Sequence, residues 1–232
     1  MVERKLVESR AKAQVLIMAG EVIVAGRTMI KPGTPVNEEA AITILEPPPF
    51  VSRGGIKLEY ALGQFQLDVS GRVVADIGAS TGGFTDCLLQ REASRVYAVD
   101  VGYGQLDYRL RQDSRVVVME RLNARYPILL PEKIDLATID LSFISVKKVI
   151  PSVAKLLKDK GYLLVLIKPQ FEAKRGEVGK GGVIKEPLLH ATVLGRFIAW
   201  MVEYGFRLKG LVASPILGSS GNKEFFVLLK LA

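Results

Sequence analysis

The chain has 232 residues, of which 49% are hydrophobic, enough for one α/β domain and a small additional module. No apolar run approaches the roughly 18 residues of a membrane-spanning helix and no signal peptide opens the chain, so we expect a soluble, cytoplasmic protein without membrane contact. The single cysteine and single histidine exclude an intramolecular disulfide and give no pattern for a metal site, whereas the net charge of +8 favours an acidic partner such as nucleic acid.

The first 46 residues are predicted to form a small α+β module. A helix is expected over residues 9–18, followed by short strands with turns at Gly26 and at Pro32–Gly33. Six basic and six acidic residues leave this segment neutral overall, but its basic side chains come early, which leaves room for a basic face. Three consecutive prolines then predict a stiff connector over residues 47–52.

The remainder, residues 53–232, alternates between strand and helix patterns. Residues 56–65 have helical spacing, and apolar strands recur near 72–77, 95–101, 116–120, 134–141 and 161–168. This alternation predicts an α/β fold with a parallel, doubly wound sheet. Two final strand-like segments around a Gly/Ser turn at residues 218–221 predict an antiparallel hairpin, an arrangement typical of Rossmann-like methyltransferases.

The most informative segment is RVVADIGASTGGFTDCLL, which starts at Arg72. It predicts a buried strand, a glycine turn and a helix N-terminus, which together form a cradle for a nucleotide-like cofactor. Gly78 is separated from the next glycine pair by three residues, which differs from the dinucleotide pattern G-x-G-x-x-G and favours S-adenosylmethionine (SAM) over NAD. A tight turn that binds no ligand remains the alternative.

The next strand supports a cofactor site. Asp100 follows it, 100 − 78 = 22 residues after the first glycine of the turn. An acidic residue about 20 residues beyond the turn binds ribose hydroxyls in Rossmann-type sites. We therefore expect Asp100 to hold the cofactor ribose, the alternative being a strand-end carboxylate in solvent.

Seven segments occur in the order found in one known family: VSRGGIKLEYAL, DIGASTGGFTDCLL, AVDVGYGQL, ERLNAR, DLSFIS, IKPQFE and GNKEFFV. On these segments the chain resembles the haemolysin A (TlyA) family of ribosomal RNA 2'-O-methyltransferases, which join an S4-type RNA-binding module to an FtsJ-like methyltransferase domain. The resemblance implies an S4-like module over residues 1–46, of whose usual first helix only the tail, residues 3–7, is present. It also implies SAM as cofactor and ribosomal RNA in a ribosomal subunit as partner.

The resemblance implies a Lys-Asp-Lys-Glu catalytic set, whose matching positions here are Lys57, Asp140, Lys168 and Glu224. Asp140 and Lys168 follow apolar strands, and active sites of open α/β sheets form beyond such carboxyl ends. A ribose hydroxyl is a very weak acid, so the reaction needs a base or an orienting group at the oxygen. Whether Lys168 takes the proton, or only orients the hydroxyl while Asp140 orients the lysine, stays open.

The remaining predicted contacts fall into two sets. The cofactor contacts are Asp76, Gly78, Ala79, Ser80, Thr81, Gly82, Gly83, Phe84, Asp100, Val101 and Asn123. For Asn123 the resemblance implies the adenine region, with a strand-end cap as the alternative. The RNA contacts are Arg4, Lys5, Arg10, Lys12, Arg53, Lys174, Arg175 and Lys180. The last three lie in a basic, glycine-rich loop, which we interpret as a lid that meets the RNA backbone, the alternative being a solvated crossover.

The resemblance also implies a target. Because short members of this family modify large-subunit RNA only, we expect the target to be the ribose of a cytidine in the large subunit. Two other readings remain: an NAD-dependent dehydrogenase, disfavoured by the glycine spacing and the C-terminal hairpin, and a non-catalytic RNA-binding or ribosome-assembly factor, disfavoured because all four catalytic positions are filled.

Overall fold

The computed structural model describes residues 1–18, 20–45, 48–179 and 181–232, which form two compact units that meet in sequence between Pro49 and Phe50. Three residues of the expectations above lie outside the described residues: Glu46 at the end of the first module, Pro47 of the connector and Lys180 of the basic loop. None of the described helices is both long and apolar enough to cross a membrane.

The N-terminal unit is a small α+β arrangement. It contains α1 (Arg10–Met18), β1 (Val22–Val24), β2 (Arg27–Met29) and β3 (Ile42–Ile44). The three strands form an antiparallel sheet with β1 in the middle. Its buried side chains include Ala13 of the helix and Val22 and Val24 of the central strand. The expected helix and turns are present, while the S4-like character of the unit stays a prediction.

The second unit begins within the expected connector. Phe50 is buried, and its ring lies so close to Gly55 that a Cβ there would be 2.2 Å from it. The Val51 N–H donates to the carboxylate of Asp86, and Ser52 caps the helix that follows. Residues 50–52, which the proline run assigned to a connector, therefore belong to the second unit because apolar burial and hydrogen bonds fix them there.

The helices and strands of this unit are α2 (Arg53–Phe65), β4 (Val73–Ile77), α3 (Gly83–Gln90), β5 (Arg95–Val99), α4 (Tyr108–Gln112), β6 (Val116–Met119), β7 (Ile134–Ile139), a 3₁₀ turn (Val146–Lys148), α5 (Ile150–Ala154), β8 (Leu157–Ile167), α6 (Pro169–Glu172), α7 (Pro187–Glu203), β9 (Phe206–Ala213) and β10 (Phe225–Leu231).

These strands form one seven-stranded sheet in the order β6-β5-β4-β7-β8-β10-β9. The pairs from β6 to β8 are parallel, and β10 runs antiparallel between β8 and β9. The predicted α/β class with a C-terminal antiparallel hairpin is confirmed. Chain order reverses at β4, since β5 lies on one side of it and β7 on the other. The crevice beyond the carboxyl end of β4 is where ligands bind in folds of this kind.

Both faces of the sheet are covered, which explains the nearly continuous apolar runs of the central strands. Successive residues alternate between faces, so that Ile139 and Val165 pack on one side with Phe197 of α7, while Leu136 and Leu164 pack on the other. Fully burying each such side chain stabilises the fold by about 1.5–3 kcal/mol. The sheet is thus a rigid support for the loops at its carboxyl edge.

Candidate active site

The segment after β4 turns at Gly78, whose φ of +90° is a left-handed conformation that glycine adopts without strain. A Cβ at this position would lie 2.2 Å from the carbonyl oxygen of Asp140, so glycine allows the ends of β4 and β7 to approach closely. The N–H groups of Gly78 and Ala79 donate to the carbonyl of Val99. The turn is therefore anchored to both neighbouring strands, and residues 78–81 line a cavity of about 340 Å³.

The following two glycines allow helices to pack closely. A Cβ on Gly82 would lie 2.2 Å from the Leu110 side chain of α4, and one on Gly83 would lie 2.1 Å from the hydroxyl of Ser52. Gly83 and Phe84 also line the cavity, whereas Gly82 does not. The glycine pair that the sequence assigned to the cofactor thus has a packing role as well.

Two of the four predicted catalytic residues form a buried ion pair. The Ser52 hydroxyl accepts a hydrogen bond from the Gly54 N–H and caps α2, so the helix begins at Arg53, three residues earlier than predicted, and Lys57 lies in its second turn. Glu224 immediately precedes β10. The Nζ atom of Lys57 lies 2.6 Å from Oε2 of Glu224, with 10% and 3% of the two side chains exposed.

The other two form a second ion pair at the carboxyl ends of β7 and β8. The Nζ atom of Lys168 lies 2.6 Å from Oδ1 of Asp140. Pro169 ends β8 and opens α6, and the Asp140 N–H donates to the carbonyl of Ile77, so both strand ends are fixed. The structure brings all four charged side chains to the lining of the same 340 Å³ cavity as the glycine turn.

A fifth side chain in this cluster was not predicted. Ser142 accepts a hydrogen bond from Nζ of Lys168 at 2.9 Å. It lies in an irregular segment two residues after Asp140, where no periodic pattern marks a side chain as functional. The segment DLSFIS, on which the family resemblance partly rests, was the one signal that pointed to it.

The connection between β9 and β10 supports Glu224. A Cβ on Gly218 would lie 2.3 Å from Oε1 of Glu224, so glycine leaves room for this carboxylate. Asn222 is almost fully buried: its side-chain amide donates to the carbonyl of Gly182 and accepts from the N–H of Ile184, each at 2.9 Å. The end of the basic loop is therefore tied to the hairpin, which limits the part free to act as a lid.

Asp76 is fully buried and lines neither the 340 Å³ cavity nor the second cavity described below. The hydroxyls of Thr85 in α3 and Thr138 in β7 donate to its carboxylate at 2.8 and 3.0 Å. Burial raises the pKa of Asp76 to about 7, and the negative charge of Asp140 acts in the same direction, while the two hydroxyl donors oppose it. In this geometry Asp76 joins the helix after the glycine turn to the strand that carries Asp140, and its predicted part in the cofactor site stays a prediction.

Asp100 lies where the sequence placed it, directly after β5. Its two oxygens accept hydrogen bonds from the N–H groups of Ser80 and Gly102 at 2.8 and 2.7 Å. With Val101 and Asn123 it lines a second cavity of about 170 Å³, which also includes Gly78. The side chain of Asn123 accepts a hydrogen bond from the N–H of Arg125 and so caps the local turn. Asn123 therefore both caps the turn and lines the cavity.

These lining groups suit an adenosine-like ligand. A carboxylate accepts hydrogen bonds from ribose hydroxyls, and an amide beside apolar side chains matches an adenine ring. The fit of the second cavity to the nucleoside part of SAM therefore rests on Asp100, Asn123 and Val101.

The predicted RNA contacts divide between the two units. Arg53 lines the 340 Å³ cavity, and Lys174 and Arg175 are exposed on the loop after α6. No ion pair joins any of these three cations to a carboxylate in the described part of the chain, whereas Glu177 beside them pairs with Arg196. Among the described residues, Arg53 thus brings a positive charge without an ion pair to the cavity lining, and the loop after α6 carries two more.

The other four predicted RNA contacts lie in the N-terminal unit, all exposed: Arg4, Lys5, Arg10 and Lys12. Arg4 donates to the carbonyl of Ala40, and the other three extend from the first residues and from α1. A cavity of about 470 Å³ lies between α1 and the strands of this unit and holds none of the predicted catalytic residues.

Residues 50–231 match the FtsJ-like methyltransferase family. The chain is 48% identical to YqxC of Bacillus subtilis, an alignment that covers 98% of this chain and 82% of that protein. It is 44% identical to the 16S/23S rRNA (cytidine-2'-O)-methyltransferase TlyA of Mycobacterium tuberculosis, covering 99% and 87% of the two chains. A solved structure named as a hemolysin, from Streptococcus thermophilus, is 45% identical with a TM-score of 0.79 and covers 98% of this chain and 84% of that one.

Proposed function

Because this chain belongs to the haemolysin A (TlyA) family of FtsJ-like methyltransferases, we propose that it transfers a methyl group from SAM to the 2'-oxygen of a cytidine in ribosomal RNA. The observation that carries the proposal is the meeting of two Lys–carboxylate pairs with the glycine turn around one cavity. The name of the Mycobacterium tuberculosis relative supports the choice of cytidine and of the 2'-oxygen.

The cofactor contacts follow from the two cavities. Asp100 would accept hydrogen bonds from the ribose hydroxyls of SAM, Val101 and Asn123 would contact its adenine, and the turn at residues 78–81 would contact its methionine part. When bound, SAM supplies an electrophilic methyl group on a sulfonium. The protein itself must then hold the acceptor oxygen in line with that group.

The charged side chains are suited to this task. Asp140 fixes the amine of Lys168, and Glu224 fixes that of Lys57, so that both nitrogens are held at the lining of the cavity. We assign Lys168 to the 2'-hydroxyl as its orienting group, with transfer of the hydroxyl proton to this lysine as the alternative that a pH–rate profile separates. Alignment of two reactants can supply about 7 kcal/mol or more of the reduction in barrier.

RNA would approach the cavity past Arg53, which lines it. Arg53, Lys174 and Arg175 would neutralise RNA phosphates, and the exposed cations of the N-terminal unit, which we take to be S4-like, would add further phosphate contacts. With a ribosomal subunit as partner, the enzyme would act in the cytoplasm.

The test is methylation of purified, unmodified small and large ribosomal subunits, side by side, with labelled SAM. We expect label on the 2'-oxygen of a cytidine, and we expect it in the large subunit. The Mycobacterium tuberculosis relative is named for both 16S and 23S rRNA, so the small subunit is assayed beside the large one. Label on a base, or none in either subunit, would contradict the proposed function, while label in both subunits would correct only the target.

A further inference from the structure

The amine of Lys168 has one ion-pair partner and one hydrogen-bond partner. Its nitrogen lies 2.6 Å from Oδ1 of Asp140 and donates to the hydroxyl of Ser142 at 2.9 Å. A protonated lysine amine carries three hydrogens, each of which can be donated to an acceptor. One hydrogen is directed at Ser142, and the negative charge of Asp140 lies beside the nitrogen, so the amine can still donate to a group in the cavity.

Ser142 lies in a segment that makes hydrogen bonds outside the site. The next residue, Phe143, has a φ of +66°, a left-handed conformation that costs a bulky residue on the order of 1–3 kcal/mol. Beyond it, the carboxylate of Glu172 accepts hydrogen bonds from the Ser145 hydroxyl at 2.6 Å and the Val146 N–H at 2.7 Å.

Glu172 also couples this segment to the lysine. It lies in α6, four residues after Lys168, and it is largely buried. The segment that carries Ser142 and the segment that carries Lys168 are thus tied to one another at a second point, away from the cavity. The hydroxyl of Ser142 is therefore presented to the lysine nitrogen by a segment that is hydrogen-bonded to the helix after Lys168.

We propose that Ser142 is a positioning residue for Lys168: its hydroxyl accepts one hydrogen of the amine and, beside the charge of Asp140, sets the rotation of the amine so that another hydrogen position faces the acceptor hydroxyl of the RNA. The inference rests on the proposed function, because it assigns Lys168 to that hydroxyl. Ser142 also lines the 170 Å³ cavity assigned to the nucleoside part of SAM, so the Kd for SAM distinguishes a cofactor contact from the positioning role.

The test compares three variants of the full chain in methylation of the ribosomal subunit. Ser142→Ala removes the acceptor, Ser142→Thr keeps a hydroxyl, and Ser70→Ala removes an exposed serine hydroxyl at the other end of the sheet. We expect Ser142→Ala to lower kcat about tenfold or more, with the KM for RNA and the Kd for SAM within about twofold of wild type. Ser142→Thr should recover most of kcat, and Ser70→Ala should match wild type.

Each result distinguishes this inference from the proposed function. If the wild-type protein methylates no ribose, the proposed function fails, and Ser142 loses the role assigned to it. If the wild-type protein is active but Ser142→Ala keeps kcat within about twofold, the positioning role alone is overturned. A loss confined to KM or to SAM affinity, or a Ser142→Thr enzyme as slow as Ser142→Ala, overturns it as well. A melting temperature for each variant identifies unfolding, and the Ser142→Thr enzyme keeps the test valid if the alanine variant does not fold.

Discussion

The stability of the fold depends on Lys57 and Glu224 as a pair, because each buried charge is compensated by the other. Lys57→Met would leave the carboxylate of Glu224 buried without its partner, and breaking a buried pair in this way costs about 3–5 kcal/mol. The double variant Lys57→Met/Glu224→Gln removes both charges and should regain most of that free energy. Urea unfolding measures the recovery, and labelled SAM should show both variants inactive. A double variant no more stable than Lys57→Met would refute the dependence.

The buried carboxyl group of Asp76 makes the free energy of unfolding depend on pH. Its pKa is raised from 3.8 to about 7 in the folded chain. A carboxyl group with a raised pKa contributes fully to stability below about pH 4, and this contribution is lost progressively as pH rises to about 7, with a slope of at most about 1.4 kcal/mol per pH unit. Asp76→Asn keeps the shape and removes the titration.

The free energy of unfolding of the wild-type protein should therefore fall more steeply between about pH 4 and pH 7 than that of Asp76→Asn, and the two should run parallel above that range. Urea titrations at four pH values measure both slopes, and Asp159→Asn, at an exposed position of β8, serves as the matched control. Parallel curves for the wild type and Asp76→Asn would show that Asp76 does not titrate in this range.

Gly78 is the residue at which backbone geometry and ligand binding meet. Its positive φ and the 2.2 Å approach of a Cβ to Asp140 imply that Gly78→Ala distorts the turn that lines the cavity. We expect calorimetry to show SAM affinity at least tenfold weaker, together with a lower melting temperature. Gly63→Ala is the control: nothing lies within 4 Å of its Cβ, and alanine there should stabilise α2 by about 0.5–1 kcal/mol. Unchanged SAM binding in Gly78→Ala would contradict the cofactor assignment.

At the scale of elements, the junction between the loop after β7 and α6 organises the catalytic edge. Glu172 holds this junction through Ser145 and Val146, and burial raises the pKa of its carboxyl group. Glu172→Ala should loosen residues 141–148 and lower kcat without weakening SAM binding. Hydrogen exchange measured by mass spectrometry should show faster exchange in this segment and unchanged exchange in α3. Equal protection in the two proteins would argue against a clamp.

The elements differ in how far sequence predicts them. The strands of the parallel sheet were predictable because each is a short apolar run between turn signals, and burial on both faces requires such runs. The start of α2 was not, because Gly54 and Gly55 are poor helix formers and the helix is set there by the cap at Ser52. The short helices α4 and α6, of five and four residues, carry too few turns for a periodic signal.

For the site as a whole, the sequence predicted the charged side chains but not their supports. Asp140 and Lys168 follow strands whose carboxyl ends meet at one edge, and the family motif adds Lys57 and Glu224. Asp76 was assigned to the cofactor because it precedes the glycine turn, whereas it is buried against hydroxyls 9 and 62 residues away in sequence. Such pairings form only when the sheet and helices assemble, so the residue pattern of a single segment contains no trace of them.

On the scale of the whole molecule, the effect of the net charge of +8 on RNA binding depends on where the basic side chains lie. If Lys174 and Arg175 contact phosphates, Lys174→Gln/Arg175→Gln should raise the KM for RNA and reduce the slope of log affinity against log salt by about 0.7–0.9 for each phosphate that is no longer neutralised, with SAM affinity unchanged. Arg207→Gln/Lys209→Gln removes the same charge from exposed positions of the edge strand β9. Filter binding at several salt concentrations compares the two. Equal slopes would mean that RNA responds to the total charge alone, and a reduced slope in the first variant only would place the RNA backbone on the loop after α6.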